Sequence, residues 1–365
     1  MKIVFVNNNL FGLTQFRIDV INHFIDKGYE VVAIVPSTAK ETIDLDRIRV
    51  RFIPLNRAST NPFHDIKLLI HLMKIFRQER PDYGFFFTIK PNIYGTFAAK
   101  LCGFPSSMMM AGLGYTFTNN RLSSRIARFL YRMALKYTDK LLLLNEDNLK
   151  TVLRLKICNK GKIILLKGGE GVNLVKYPYY DNSSRVIRFL FIGRLIKEKG
   201  IYDFIEAAKE VKGLYSFADF QIAGIIDKEY PDSLKEHELI ALEETGIIRY
   251  LGNIDMTEKL KEPGIVITIP SYYSEGLNRS LMEGCATGKP IITTEQPGCK
   301  ETVIDGINGY IVPAQCPSKL AEAMIRYINL TEEEKMKMSK ESRRLAESCF
   351  DVNMVIDVYN SIIHN

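Results

Sequence analysis

Short apolar runs alternate with longer amphipathic segments over the first 165 residues of the chain. The apolar runs predict strands, because strands that are buried on both faces of a parallel sheet read as continuous hydrophobic segments. The predicted strands are Ile3–Asn7, Glu30–Pro36, Arg49–Leu55, Tyr83–Thr88, Ser107–Ala111, Lys140–Asn145 and Lys162–Lys167. Helical patterns lie between them, at Thr14–Lys27, Asp65–Gln78, Tyr94–Cys102 and Leu122–Lys136. This alternation predicts a parallel sheet with helices on both faces.

The alternation resumes after a turn-rich segment. Residues 168–184 are rich in Gly, Asn and Ser and contain a proline, which is typical of an interdomain linker. Beyond it the predicted strands are Val186–Ile192, Asp219–Ala223, Ile247–Leu251 and Gly264–Ile269, and a helix is predicted at Ile201–Val211. A chain of 365 residues is long enough for two domains that each bury a core. The pattern therefore predicts two α/β domains, residues 1–168 and 182–349.

A strand, a glycine-containing turn and a short helix form the most distinctive stretch of the chain. The strand ends at Pro270, and a helix is predicted from Leu277 to Ala286. A helix N-terminus suits an anionic ligand, and Gly276 allows that ligand to approach the backbone closely. Glu275 in the turn and Glu283 two helical turns later could accept hydrogen bonds from hydroxyl groups. On spacing alone, the stretch fits either a sugar-nucleotide site or an ordinary strand–turn–helix with two solvated glutamates.

The sequence from Glu275 onward resembles the donor-binding segment of retaining family 4 glycosyltransferases. The resemblance rests on Glu-x7-Glu, Gly288-Lys-Pro-Ile-Ile292, Pro297-Gly298-Cys-Lys-Glu301 and Asp305-Gly-Ile-Asn-Gly-Tyr-Ile-Val-Pro313. Gly193-Arg194 and Lys199-Gly200 match the Gly-Arg…Lys-Gly element of the same family, in the expected order. The resemblance implies the GT-B fold, in which two Rossmann-like α/β domains face each other across a cleft. It also implies that the last helix, within residues 350–365, joins the first domain.

Roles for the donor side follow from this resemblance together with the chemistry of the residues. Arg194 and Lys199 would stabilise the departing diphosphate and Glu275 would hold the donor sugar, so these three are the candidate catalytic residues. The candidate donor-binding residues are Gly193, Arg249, Tyr250, Gly276, Leu277, Asn278 and Glu283, the last for the ribose hydroxyls. The resemblance further implies a UDP-linked donor, retention at the anomeric carbon, no protein nucleophile, no metal ion and no cofactor.

Three loops that follow strands of the first domain form the candidate acceptor side, because ligands of parallel sheets bind beyond the carboxyl ends of the strands. Residues 7–17 lack a Gly-x-Gly-x-x-Gly pattern, so a dinucleotide is not indicated, and they fit a plain helix cap as well as an acceptor site. The loops after Tyr83–Thr88 and Ser107–Ala111 resemble the bacterial branch of the family that extends polyprenyl-diphosphate-linked saccharides. Histidines that many members have in these loops are absent. The candidate acceptor residues are Asn9, Gly12, Arg17, Lys90, Gly112, Gly114 and Tyr115.

Charge is distributed unevenly along the chain. The net charge is +7, but residues 1–170 carry 26 Lys and Arg against 13 Asp and Glu, and residues 83–138 contain no acid. Arg121, Arg125, Arg128, Arg132 and Lys136 recur every three or four residues and would form one basic stripe on a helix. The apolar residues of that helix would occupy its other faces, so part of the helix can pack inward; they are Leu122, Ile126, Phe129, Leu130 and Met133. The stripe fits either a solvated face or adsorption to an anionic membrane; a nucleic-acid partner is not indicated, because no recognised binding module accompanies the charge.

These observations predict transfer of a sugar from a nucleotide donor, on the second domain, to a lipid-diphosphate-linked saccharide, on the first. No apolar run is long enough to span a membrane, and the six scattered cysteines suggest neither a disulfide framework nor a zinc site. The five histidines have no metal-ligand spacing. The expected location is cytoplasmic and peripheral, at the inner face of the plasma membrane. Two alternatives remain open: a sugar-nucleotide epimerase of similar form, and a catalytically silent lipid-binding subunit.

Overall fold

The chain folds into two compact α/β units. The computed structural model describes residues 1–36, 47–56, 59, 61–112, 122–227, 230, 232–273 and 275–364. The first unit comprises Met1–Gly171 together with the last helix, Val352 onward, and the second comprises Val172–Asp351. No helix within these described ranges is long and apolar enough to cross a membrane.

The first unit is built on a parallel sheet. Its strands within the described residues are β1 (Lys2–Val6), β2 (Glu30–Pro36), β3 (Arg49–Ile53), β4 (Tyr83–Phe87), β5 (Ser106–Met110), β6 (Leu141–Leu143) and β7 (Ile163–Leu165). Their spatial order is β3-β2-β1-β4-β5-β6-β7, and every neighbouring pair is parallel. The helices are α1 (Leu10–Asp26), α2 (Pro62–Glu79), α3 (Thr96–Cys102), α4 (Leu122–Leu135), α5 (Glu146–Arg154) and, far along the chain, α12 (Val352–His364).

Side chains of the first sheet alternate between two buried layers. Phe5, Phe85 and Phe87 pack with α1 and α12 on one face. Val6 and Phe86 belong to the opposite face, which α2, α3 and α4 cover. Because a strand repeats every two residues, an apolar residue at every position is what burial on both faces requires. The carboxyl ends of all the strands therefore open onto one edge of the sheet, and that edge carries the functional loops.

The second unit repeats this plan. Its strands are β8 (Arg188–Ile192), β9 (Asp219–Ala223), β10 (Arg249–Gly252), β11 (Ile265–Ile269), β12 (Ile291–Thr294) and β13 (Gly309–Val312), in the spatial order β10-β9-β8-β11-β12-β13. The helices are α6 (Ile201–Leu214), α7 (Glu236–Glu244), α8 (Met256–Lys259), α9 (Arg279–Ala286), α10 (Pro317–Ile328) and α11 (Glu332–Cys349). All its strand pairs are parallel, so this sheet also has a single carboxyl edge.

The structure differs from the sequence predictions in three places. The predicted strands are present with ends shifted by at most two residues, but β12 and β13 were not predicted, since each has only four residues beside glycine-rich turns. Helix α1 begins at Leu10, so most of the predicted loop 7–17 is helical. The segment after Gly171 is packed rather than an open linker, because Tyr177 is buried and Asn182 bonds the backbone of Ile265.

Candidate active site

The carboxyl edge of the second sheet brings the three candidate catalytic residues into neighbouring loops. Strand β8 ends at Ile192 and is followed by Gly193 and Arg194. Gly193 has a φ of +145°, and a Cβ built on it would meet nothing within 4 Å. Gly224, which follows β9, approaches so closely that its Cβ would lie 1.8 Å from the carbonyl oxygen of Gly193. Glycine is thus required at both strand ends, at Gly193 because of its backbone conformation and at Gly224 because of its close contact.

Lys199 and Glu275 form an ion pair at this edge. The Lys199 Nζ lies 2.6 Å from Glu275 Oε1, and the two side chains are 13% and 14% exposed. The pair is held because the turn Lys197–Lys199 lies directly against the chain that leaves β11: the amide of Tyr272 donates to the carbonyl of Glu198 at 2.9 Å. Gly200 permits this approach, since a Cβ there would stand 2.1 Å from the carbonyl oxygen of Pro270.

Two more polar groups support the Glu275 carboxylate. Asn278 Nδ2 donates to Oε1 at 3.2 Å, and the Ser271 hydroxyl donates to the same oxygen at 3.3 Å. Gly298 lies against the backbone of Glu275, and its carbonyl accepts the amide of Asn278 at 2.7 Å. The carboxylate is therefore held by side chains from two loops, Lys199 from one and Ser271 and Asn278 from the other.

Arg194 lies beside a second carboxylate and two aromatic rings. Its Nη1 is 3.5 Å from Asp227 Oδ2, and its side chain is 37% exposed. The guanidinium carbon is 6.0 Å from the ring centroid of Tyr230 and 5.9 Å from that of Tyr273. Tyr273 also lies 5.7 Å from the Lys199 ammonium, so one ring contacts both candidate cations. This edge therefore carries two cations, Arg194 and Lys199, that both contact the ring of Tyr273, and such a pair of cations suits a polyanionic ligand.

The helix after the turn begins later than predicted. Asn278 is the N-cap of α9, and its side chain accepts the amide of Leu281 at 3.2 Å. Gly276 therefore lies in the loop, as predicted, but Leu277 also lies in the loop and not in the first turn of the helix, and its side chain is buried. The reason is the capping preference of asparagine, which ends the loop one residue before Arg279.

Glu283 lies in a separate buried cluster on α9. It is 5% exposed, and Arg279, one turn earlier, donates from Nε to its Oε1 at 2.8 Å. Burial and the Glu283 carboxylate raise the pKa of the Tyr177 phenol above its ordinary value. The predicted ribose partner is thus a carboxylate held by an i,i+4 arginine on the same helix.

Two of the predicted donor-binding residues lie elsewhere. Arg249 is the first residue of β10, so it is at the amino edge of the sheet, where it faces Asp219 at 3.5 Å with its side chain 57% exposed. The structure does not bring it to the carboxyl edge. Tyr250 has its ring against the core, and its hydroxyl donates to the carbonyl of Gly224 at 2.8 Å, so it supports the glycine turn after β9.

Two of the candidate acceptor residues shape the start of α1. Asn9 is the N-cap of this helix, and its side-chain oxygen accepts the amide of Gly12. A Cβ on Gly12 would stand 2.7 Å from that oxygen, which explains the glycine. The structure therefore favours the helix-cap alternative for both residues over an acceptor role.

Arg17 is a buried structural residue. It is 4% exposed, and its Nε and Nη2 lie 2.7 and 2.8 Å from the two carboxylate oxygens of Glu170. Its guanidinium also stacks on Phe87, with 4.4 Å between the guanidinium carbon and the ring centroid. The prediction that Arg17 contacts the acceptor is corrected by this geometry, because its charge is neutralised inside the first unit.

Lys90 and Gly112 line one cavity at the carboxyl edge of the first sheet. The cavity has a volume of about 300 Å³ and is bounded by the chain that follows β1, β4 and β5. Lys90 Nζ is 2.7 Å from Asp65 Oδ1 and also donates to the carbonyl of Ser59 at 2.7 Å. Gly114 and Tyr115, the other two candidates in this region, lie outside the described residues.

The basic helix α4 exposes apolar residues between its arginines. Ile126 is 52% and Phe129 is 60% exposed, whereas Leu130 and Met133 are half-buried, so only part of the helix packs inward, as the sequence predicted. Tyr131, Ala134 and Leu135 are buried, because they face the side of the sheet that α4 covers. Arg125, Arg132 and Lys136 are exposed, and Arg121 lies outside the described residues.

Sequence reasoning missed Asp227, Tyr230, Tyr273 and Arg279. For Arg279 a signal existed, since Arg and Glu four residues apart on a predicted helix indicate an ion pair. The other three come from loops 33 to 79 residues beyond Arg194 in the chain, and no local pattern links them to it.

Comparisons with known proteins agree with this architecture. Residues 2–145 match the family model described as "Glycosyl transferase 4-like", and residues 182–345 match "Glycosyl transferases group 1". The chain is 27% identical, over 100% of both chains, to N,N'-diacetylbacillosaminyl-diphospho-undecaprenol α-1,3-N-acetylgalactosaminyltransferase of Campylobacter jejuni. It is 24% identical to UDP-Gal:α-D-GlcNAc-diphosphoundecaprenol α-1,3-galactosyltransferase of Escherichia coli, over 88% of this chain and 86% of the relative.

Solved structures support the same fold. Anabaena HepE in complex with UDP superposes with a TM-score of 0.82 at 15% identity and covers 100% of each chain. Sucrose-phosphate synthase from Thermosynechococcus elongatus has a TM-score of 0.81 at 16% identity, over 100% of this chain and 98% of the other. The epimerase and silent-subunit alternatives are not favoured, because both matched families and these relatives are glycosyltransferases. The predicted fold and family are confirmed: the chain is a GT-B glycosyltransferase in which a glycosyl transferase 4-like domain precedes a glycosyl transferases group 1 domain.

Proposed function

We propose that this glycosyltransferase moves a sugar, an N-acetylhexosamine or a hexose, from a UDP-linked donor to a saccharide carried on a polyprenyl diphosphate, with retention at the anomeric carbon. The observation that carries the proposal is the grouping of Arg194, Lys199 and Glu275 at the carboxyl edge of the second sheet. Two cations and a fixed carboxylate in adjacent loops match the needs of a diphosphate next to a sugar.

The chemistry follows from where charge develops. When the bond between the anomeric carbon and the phosphate oxygen breaks, negative charge grows on the UDP β-phosphate. Preorganised cations aimed at that oxygen lower the barrier, and Arg194 and Lys199 are such cations. The acceptor hydroxyl forms the new bond on the same face of the sugar, and its proton goes to the leaving phosphate. Glu275 aligns the donor sugar and forms no covalent bond to it. The reaction requires neither a metal ion nor a further cofactor.

The lipid-diphosphate acceptor is supported by the names of the relatives. The Campylobacter and Escherichia coli enzymes both act on undecaprenyl-diphosphate-linked sugars, and they match nearly the whole of this chain. A further relative is the capsular polysaccharide biosynthesis glycosyltransferase CapM of Staphylococcus aureus, 24% identical over 84% of this chain and 82% of the relative. We therefore place the reaction in cell-surface polysaccharide or glycan biosynthesis.

The test is transfer from UDP-sugars to a synthetic polyprenyl-diphosphate-linked sugar, followed by NMR of the new linkage. Lys199→Met and Arg194→Met should each lower kcat by roughly 100-fold or more, as loss of an oxyanion-type donor does. Lys197→Met, an exposed lysine in the same turn as Lys199, is the matched control and should leave kcat unchanged. Normal transfer by the Arg194 and Lys199 variants, an inverted product, or loss of activity in EDTA would each contradict the corresponding part of the proposal.

We further propose that the first unit binds an anionic membrane surface through α4, on the inner face of the plasma membrane. Exposed Ile126 and Phe129 lie among exposed Arg125, Arg132 and Lys136, which is the composition of an interfacial helix. Each basic residue contributes about 1 kcal/mol near such a surface, and the two apolar side chains add a term that salt does not screen. Helix α2, which covers the same face of the sheet, exposes Phe63, Ile66 and Ile70.

Sedimentation with vesicles tests this surface. Arg125→Glu with Arg132→Glu should abolish binding to phosphatidylglycerol vesicles, and Ile126→Asn with Phe129→Asn should remove the part of the binding that survives high salt. The control is Lys337→Glu with Lys340→Glu, two exposed lysines of the second unit, which should have no effect. Equal binding by all the variants would show that α4 is only a solvated face.

A further inference from the structure

The ring of Tyr273 is shared by the two cations of the candidate active site. Its centroid is 5.9 Å from the guanidinium carbon of Arg194 and 5.7 Å from the ammonium nitrogen of Lys199. Both distances are within the roughly 6 Å at which an aromatic face attracts a cation. Two positive groups that contact one ring also lie near each other, and their mutual repulsion opposes that arrangement. The pair of cations therefore needs support from neighbouring groups before a ligand arrives.

Each cation has a carboxylate beside it, but a carboxylate is a costly support for a cation that has to bind phosphate. Arg194 Nη1 is 3.5 Å from Asp227, and Lys199 Nζ is 2.6 Å from Glu275. Such a carboxylate neutralises the cation that it holds and repels an incoming phosphate. An aromatic ring is uncharged and attracts a cation through its quadrupole, so the positive charge remains available to a ligand. The ring of Tyr273 thus supports both cations without competing with the phosphate.

Hydrogen bonds of the backbone fix Tyr273 relative to Lys199. The residue before the lysine, Glu198, accepts the amide of Tyr272 on its carbonyl oxygen at 2.9 Å. Ser271 is fully buried, and its hydroxyl accepts the amide of Tyr273 at 3.2 Å. The loop that carries the tyrosine is therefore attached to the turn that carries the lysine, and the ring is a built part of this edge of the sheet.

We propose that Tyr273 is a positioning residue, whose ring face holds Arg194 and Lys199 together in the arrangement in which both contact the diphosphate of the donor. The ring acts through the two cations, and its hydroxyl group is not needed for this role. Without the ring, the pairing of each cation with its own carboxylate dominates, and the diphosphate has to separate both pairs. The inference rests on the proposed function, because that function assigns the two cations to a diphosphate.

Calorimetry with UDP measures this role without sugar transfer. Tyr273→Leu removes the ring and should weaken UDP binding about tenfold, which is about 1.4 kcal/mol. Tyr273→Phe keeps the ring face and should bind UDP within about twofold of the wild type. Tyr215→Leu is the matched control, because Tyr215 is another half-buried tyrosine of the second unit, between α6 and the start of β9, with its ring against Phe217. This control should leave UDP binding unchanged.

Double variants distinguish positioning from a general loss of packing. Because the ring contacts two cations, removal of one cation should remove about half of the free-energy effect of the ring. Tyr273→Leu should therefore weaken UDP binding about threefold, not tenfold, when it is combined with Arg194→Met or with Lys199→Met. A general loss of packing would be additive and would cost the same factor in every background.

Three results would overturn the inference. They are normal UDP binding by Tyr273→Leu, an equal loss in Tyr273→Phe and Tyr273→Leu, and full additivity in both double variants. The second would assign the effect to the hydroxyl group, and the third would assign it to packing. The expected coupling in UDP binding without any sugar transfer would support the inference and would count against the proposed function instead.

Discussion

The buried ion pair of Arg17 and Glu170 allows a direct test of whether Arg17 stabilises the fold or binds the acceptor. The perturbation is Arg17→Met, Glu170→Gln and the double variant. The two side chains are 5% and 8% exposed and meet through two contacts of 2.7 and 2.8 Å. Methionine follows the path of the arginine stem and leaves the charge out, and glutamine is isosteric with glutamate.

The expected magnitude comes from the burial of both partners. Removing one partner of a buried ion pair costs about 3–5 kcal/mol, because the other charge is left uncompensated in a low dielectric. Arg17→Met also loses the stacking on Phe87, worth up to about 2 kcal/mol at a desolvated site. For a unit of this size, each kcal/mol shifts the Tm by about 2–4 °C, so the single variants should melt roughly 6–20 °C lower. The double variant should cost less than the two single variants together, because no buried charge remains.

Calorimetry of the full chain, with transfer kinetics below the melting range, is the assay. Arg154→Met, which removes an exposed arginine from the same unit, is the control and should change the unfolding free energy by no more than about 0.5 kcal/mol. Acceptor KM should stay unchanged in Arg17→Met, because the side chain is enclosed by the first unit. A raised acceptor KM with an unchanged Tm would refute the structural role and restore Arg17 to the acceptor site.

Three further predictions concern the second unit. Burial lowers the pKa of Lys289 to about 8, so the folded state loses this proton at a lower pH than the unfolded state does. The free energy of unfolding, measured in urea relative to Lys289→Met, should therefore rise by about 2 kcal/mol between pH 8 and 10. A difference between the two proteins that does not change with pH would contradict this prediction. Gly200→Ala should lower kcat as Lys199 variants do, because its φ is +79° and its Cβ would meet a backbone carbonyl at 2.1 Å; Gly213→Ala, whose Cβ meets nothing within 4 Å, should not. In calorimetry, Glu283→Gln should weaken UDP binding, whereas Glu275→Gln should keep UDP binding and lose transfer; the reverse result would exchange their roles.

The sheets were predictable because burial on both faces leaves a strong signal in sequence. Strands such as Tyr83–Phe87 and Ile265–Ile269 are apolar at nearly every position, and in a parallel sheet their carboxyl ends must share one edge. That rule, together with the family resemblance of the two segments, indicated the loops that hold Arg194 and Glu275. Strands β12 and β13 were not predicted, because four residues beside glycine-containing turns have too little periodicity to distinguish a strand from a turn.

Partners of charged residues were not predictable, because pairing across loops leaves no local pattern. Lys199 and Glu275 are 76 residues apart and meet only because Gly200 lets one turn rest on the chain that leaves β11. Arg17 and Glu170 are 153 residues apart, and Glu170 lies in a stretch that reads as a linker. The contact between Arg17 and Glu170 depends on how the whole unit folds, and the residues next to either one in the sequence carry no sign of it.

Arg17 and Arg194 show how the same local signal leads to two outcomes. Both follow a strand of a parallel sheet, and by sequence either could serve an anionic ligand. At Arg17 the carboxylate of Glu170, from the same unit, forms an ion pair with the guanidinium and the side chain is buried, so its charge is neutralised within the fold. At Arg194 the nearest carboxylate stands at 3.5 Å and the side chain remains 37% exposed beside two tyrosine rings. For these two arginines, exposure rather than the distance from the preceding strand separates the one that we propose binds the diphosphate from the structural one, because an incoming diphosphate can reach a hydrated, loosely paired guanidinium but not one that is buried against a carboxylate.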